Sequence, residues 1–130
     1  MFASLYFDGA SKGNPGNAGC GGVLYNKNNE EITTYTKYLG KQTNNYAEYM
    51  GLYHGMIEAQ THNISHLTIY GDSQLIIRQC SGIYKVKNET LKEIYTKVKD
   101  LEKLFDSVSY NHVKRNLNQR ADELANQSII

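Results

Sequence analysis

Apolar and polar positions alternate from the first residues of the chain: Ala3, Leu5 and Phe7 share one face of a stretch that closes on Asp8. That period of two predicts a strand. Residues 19–26 read as a second strand and residues 31–39 as a third, where Ile32, Thr34, Thr36 and Tyr38 alternate with polar neighbours. The polar run NKNNEE between them is a hairpin loop by composition, so the three strands should form an antiparallel meander. After GKQTNN the period changes. From residue 45 to about residue 61, Ala47, Met50, Tyr53 or His54, and Ile57 recur at helical spacing, with Thr43, Asn44 or Asn45 available as cap. Residues 67–71 return to a short strand that ends at Asp72. Residues 73–82 then form a short helix closed by Gly82. A stronger helical stripe of Leu91, Ile94, Val98, Leu101 and Phe105 spans residues 88–105. SVSYNHV reads as a fifth strand, and NQRADELANQSI as a last helix burying Ala121, Leu124 and Ala125.

The order β-β-β-α-β-α-α-β-α predicts an α/β fold: a five-stranded mixed sheet, antiparallel at one side and parallel at the other, covered by helices. At 130 residues, with no repeat or linker, the expectation is one domain over residues 1–130. Apolar residues at 40% and charged residues at 21% are ordinary for a globular protein. Cys20 and Cys80 lie far apart, without CxxC spacing or partner histidines, and read as small buried thiols. The N-terminus lacks a basic leader, and no run approaches the ~20 apolar residues of a membrane span. A reducing compartment follows: the cytoplasm, or the nucleus or an organelle in a eukaryote. The net charge of +1 advertises no nucleic-acid partner. Lysines do cluster between Lys85 and Lys103, and Lys114, Arg115 and Arg120 form a second group, but lysine-rich helix surfaces also serve solubility.

Four acids stand apart from the solvated majority. Asp8 and Asp72 end strands one and four, while Glu48 and Asp122 fall in the first turns of helices. Each has a bland explanation taken alone. Asp8-Gly9 is a good turn dipeptide, and acids in first turns complement the helix dipole. Strand ends and helix starts meet at one rim of such a sheet, where ligands bind. Four carboxylates converging there would repel one another unless a cation lay between them. Hard oxygen ligands without a histidine–cysteine cluster indicate Mg²⁺ or Mn²⁺. Two such ions, about 4 Å apart, suit in-line displacement at a phosphodiester.

The segments FDGASKGNPG with GGVLY, TNNYAEYMGL, YGDSQLII and NQRADELAN resemble, in order, the motifs of the type 1 ribonuclease H family. The resemblance covers essentially the whole chain. It implies a ribonuclease H-like fold and cleavage of the RNA strand of an RNA/DNA hybrid, with Asp8, Glu48, Asp72 and Asp122 as metal ligands. It also implies RNA-strand contacts from the backbone at Gly9 and from Ser11, Asn14, Asn44 and Gln74. Glycines at 9, 13 and 16 would permit close approach to a shallow groove displaying 2′-hydroxyls. Lys41, Thr43 and Asn88 would grip a phosphate of the DNA strand. Two features depart from larger members. Only GIYKVK separates Gly82 from Asn88, where a basic protrusion would stand, leaving Lys85 and Lys87 as its remnant. The loop VKRNLNQRAD carries no histidine and looks like the short-loop branch, with Arg115 and Asn118 in that region. His112 reads as structural. The expected enzyme is a monomer. A same-fold nuclease acting on RNA/RNA duplexes and a weakly catalytic binding domain are the alternatives.

Overall fold

In the computed structural model, which describes residues 1–129, residues 2–42 form the antiparallel meander of β1 (Phe2–Ser11), β2 (Gly16–Tyr25) and β3 (Glu31–Gln42). β4 (His66–Gly71) joins parallel to β1, and β5 (Ser107–His112) parallel to β4, giving the order β3-β2-β1-β4-β5. The helices are α1 (Asn44–Thr61), α2 (Gln74–Cys80), α3 (Glu89–Glu102) and α4 (Gln119–Gln127), with a 3₁₀ turn over Arg115–Leu117. The mixed five-stranded sheet is the one expected.

β2 explains much of the packing. Neighbouring strand residues point to opposite faces. A side chain added at Gly21 would strike Ala125 and Leu124 of α4, whereas Cys20 lies against Gly51 of α1. The two helices therefore press on opposite faces, and Ala18 through Leu24 are all buried. Small residues are what such a strand needs. The main core lies on the α1 side, where Leu5, Phe7, Leu52, Met56, Ile69 and Val98 meet. The α3 stripe sits as expected, with Phe105 buried just beyond the helix end. Ala121, Leu124 and Ala125 are buried on α4.

Three expectations are corrected. The first strand does not end at Asp8: Gly9, Ala10 and Ser11 continue to pair with Cys20, Gly19 and Ala18, and β2 and β3 lengthen to match. Asp8-Gly9 is thus strand rather than turn. On β3 the buried residue is Tyr35, whose hydroxyl donates to the Gly51 carbonyl at 2.6 Å, while Tyr38 faces outward. Of the even-numbered stripe only Ile32 packs against the core, half-buried, while Thr34, Thr36 and Tyr38 are exposed on this edge strand. On α1 the buried positions are Ala47, Glu48, Tyr49, Gly51, Leu52, Gly55, Met56 and Ala59, whereas Met50, Tyr53 and Ile57 are half-buried. This helix lies between the sheet and α3, so two faces are covered and a single stripe misplaces the core side.

Both cysteines are buried and unpaired, and burial pushes each thiol up to about 12, which leaves them inert. Among the described residues no helix is long and apolar enough to cross a membrane.

Candidate active site

Asp8 sits where the sheet divides. Pairing between β1 and β4 ends at Tyr6 and Tyr70, but the hairpin of β1 and β2 runs on past it. Asp72 follows the last residue of β4, so the two acids flank the opening. Glu48 reaches the same point from α1. Thr43 is the N-cap of α1, its hydroxyl accepting from the Tyr46 N–H at 3.2 Å, which puts Glu48 in the second turn rather than the first. The helix dipole therefore does not account for it. Asp122 does lie in the first turn of α4.

One oxygen each from Asp8, Glu48 and Asp72 lie within 4.8 Å of one another. The Gly9 N–H donates to both Asp8 Oδ1 at 2.9 Å and Glu48 Oε1 at 2.7 Å. This sharing requires α1 to approach β1 closely. A Cβ at Gly9 would stand 2.2 Å from the Ala47 carbonyl carbon, so the glycine serves packing against α1. Asp8 is only 4% exposed and Glu48 5%. Burial pushes the Asp8 carboxyl up to about 7, with Asp72 adding to the effect and the hydrogen bond shared with Glu48 opposing it. Burial, then the Asp8 charge, hold Glu48 well above the usual carboxylate range. Two buried acids that resist ionisation together form a site for a proton or a cation.

Asp122 lines the same groove, of about 470 Å³, but lies outside the three-acid cluster. Its Oδ1 accepts from Asn126 Nδ2 at 3.2 Å and faces Arg115 Nη2 at 3.8 Å. Gly9, Ser11, Asn44 and Arg115 also line this groove. Ser11 is engaged with backbone, donating to the carbonyls of Gly13 and Gln42. Gly13 itself has φ +133°, a conformation suited to glycine. Asn14, Thr43 and Asn88 meet in a neighbouring depression. Asn14 Oδ1 accepts from the Asn44 N–H at 3.0 Å, tying the β1–β2 loop to α1, and Asn88 caps α3 through the Leu91 N–H at 3.0 Å. Gln74, at the start of α2, and Lys41, opposite Asn17 on the sheet edge, line neither depression; nor does His112 at the end of β5.

Sequence reasoning missed four groove residues, Ala10, Lys12, Ser73 and Asn126. Lys12 donates to Asn126 Oδ1 at 2.8 Å and so closes one side. Asn126 stands one turn after Asp122, a spacing that could have disclosed it. Ser73 caps α2 beside Asp72. Asn118, expected in the short loop that leads into the last helix, is buried and donates to Asp72 Oδ2 at 3.0 Å.

The fold agrees with comparisons to known proteins. The reverse transcriptase-like family matches residues 6–128. A bifunctional protein of Mycobacterium tuberculosis is 37% identical over 123 residues, covering 94% of this chain and 34% of its own length. Ribonuclease HI of Halobacterium salinarum is 36% identical over 124 residues, covering 95% of this chain and 62% of its own length. The crystal structure of RNase H1 from that archaeon superposes with a TM-score of 0.96 at 35% identity, over 98% of this chain and 97% of that one. LC11-RNase H1, solved in complex with an RNA/DNA hybrid, gives a TM-score of 0.93 at 35% identity, over 98% and 96% of the two chains. The chain belongs to the reverse transcriptase-like family and has the ribonuclease H fold. It spans about a third of the length of the mycobacterial relatives it matches.

Proposed function

We propose that this chain is an endoribonuclease that hydrolyses the RNA strand of RNA/DNA hybrids, with Asp8, Glu48, Asp72 and Asp122 holding two divalent cations, Mg²⁺ or Mn²⁺. The observation that carries this reading is the convergence of three carboxylates within 4.8 Å, two of them buried. The donor set fits a hard cation: it offers only oxygens, and its suppressed ionisation is what a bound positive charge would relieve. Once bound, such ions activate water and stabilise the leaving oxygen of a phosphodiester.

The chain's own residues supply the rest. The Gly9 N–H holds Asp8 and Glu48 in one arrangement, so the acids need not reorganise when substrate arrives. Arg115, with its side chain 81% exposed at the outer lip, is free to swing onto a phosphate near the cut. Gly9, Ser11, Asn14, Asn44 and Gln74 are assigned to the RNA strand, and Lys41, Thr43 and Asn88 to a phosphate of the DNA strand. LC11-RNase H1 bound to a hybrid supports this choice of substrate. We assign residues 1–130 to a single domain acting as a monomer. Its two free thiols suit a reducing compartment such as the cytoplasm.

The test is incubation of the purified chain with a labelled hybrid, an RNA duplex and a DNA duplex, each with Mg²⁺, Mn²⁺ or EDTA. Metal-dependent cutting of the RNA within the hybrid is expected. Cleavage surviving in EDTA would overturn the metal assignment, and faster cutting of the RNA duplex would overturn the substrate.

A further inference from the structure

We propose that Asn118 is a positioning residue for the cation site, orienting Asp72 and fastening it to β1 at Phe7 and to the start of α4. The inference rests on the metal-dependent reading above. Asn118 is only 1% exposed. Its Nδ2 donates to the Phe7 carbonyl at 2.9 Å and to Asp72 Oδ2 at 3.0 Å. Both neighbours are acceptors, so the amide nitrogen must face them, and both of its hydrogens are spent. Its backbone carbonyl accepts from the Asp122 N–H at 3.1 Å. One residue thus touches the strand position before Asp8, the Asp72 carboxylate and the first turn that carries Asp122.

Two features separate this role from ordinary structure. Asn118 occupies the N-cap of α4, a position where asparagine normally accepts a helix N–H, yet it makes no side-chain cap. Its Oδ1 is also buried without a partner among the described residues. A residue serving the helix alone would avoid both costs, and such local violations concentrate where function requires them. The division of donors points the same way. Asp8 and Glu48 share the Gly9 N–H, and Asp122 is held by Asn126. Asp72 takes its hydrogen bond from Asn118. Outer hydrogen bonds of this kind orient ligating carboxylates, and their loss typically costs ~10–100-fold in metal affinity or activity.

The test is Mn²⁺ titration by calorimetry in the absence of hybrid, on the wild type, Asn118→Ala, Asn118→Thr and Asp72→Asn, with melting curves in EDTA. Asn118→Ala should weaken Mn²⁺ binding by roughly 10–100-fold. Asn118→Thr, whose hydroxyl can serve one of the two acceptors, should fall between it and the wild type. Single-turnover cleavage by either variant should recover as Mn²⁺ is raised. A purely structural role would lower the melting temperature while folded protein bound Mn²⁺ within about threefold of the wild type, and that result overturns the inference. If the alanine variant does not fold, the threonine variant makes the same comparison. Failure of the wild type to bind Mn²⁺, or undiminished binding by Asp72→Asn, would overturn the cation site itself.

Discussion

Replacing Asp8 with asparagine should stabilise the metal-free protein, and by an amount that grows with pH. The Asp8 carboxyl is pushed from its ordinary 3.8 up to about 7, chiefly by burial. Below about pH 4 the group is protonated whether the chain is folded or not, and its folded-state advantage is fully present. Between pH 4 and pH 7 the unfolded chain releases the proton while the folded chain keeps it, so stability falls as pH rises. Above pH 7 the loss is complete. At ~1.36 kcal/mol for each pH unit of that window, the upper bound is about 4 kcal/mol. Asparagine keeps the Oδ1 that accepts from Gly9 N–H, cannot ionise, and removes one source of the rise at Glu48. With an unfolding entropy of ~2.1 cal/mol/K per residue, the bound converts to a gain of about 15 °C in Tm, and partial relaxation of the neighbours brings it nearer 5–10 °C.

The assay is a pair of melting curves in EDTA at pH 4.5 and pH 8. The difference between variant and wild type isolates Asp8 and the acids coupled to it from the rest of the chain. It should be small at pH 4.5 and large at pH 8. In Mg²⁺ the gap should narrow, because the wild type gains stability from a ligand that the variant binds poorly. Equal differences at the two pH values would refute the reasoning, since charge repulsion in a buried cluster cannot be independent of pH.

Three other outcomes follow from the geometry. Gly9→Ala should fold poorly or melt at least 10 °C lower, because its methyl would meet the Ala47 carbonyl carbon at 2.2 Å; a melt within 2 °C of wild type would mean that α1 can shift freely. Arg115→Ala should slow single-turnover cleavage at least ~10-fold, while His112→Ala, which lies outside the groove, should change it less than ~3-fold; the reverse order would make the strand histidine the active group. Hybrid affinity should fall only shallowly with salt, with a log–log slope of magnitude roughly 2–4 as expected for few phosphate contacts. A slope near 8 in a binding titration would reveal a larger basic binding surface and refute this expectation.

The convergence of Asp8, Glu48 and Asp72 was legible in the sequence because no local role disposes of these acids together, whereas their surroundings were hidden because local signals there answer to distant partners. GASKGNPG reads as a turn from its small residues. In the structure its first part is strand, and the glycine after Asp8 is small because α1 presses against it from a point 38 residues away. The end of a strand is likewise set by its neighbours: β1 stops pairing with β4 at Tyr6, before Asp8, but pairs with β2 as far as Ser11. Period alone cannot report this, since both strands would carry the same alternation. Asn118 is the sharper case. An asparagine before a helix is the common signature of a cap, and nothing in NQRADELAN says that its amide is turned away from the helix. The direction is fixed by a carbonyl at Phe7 and a carboxylate at Asp72, both far off in the chain. The unpaired oxygen left behind is therefore visible only in the fold. It marks a position where the fold accepts a buried cost, and the nitrogen of the same amide donates to a carboxylate that a cation would require to be held still.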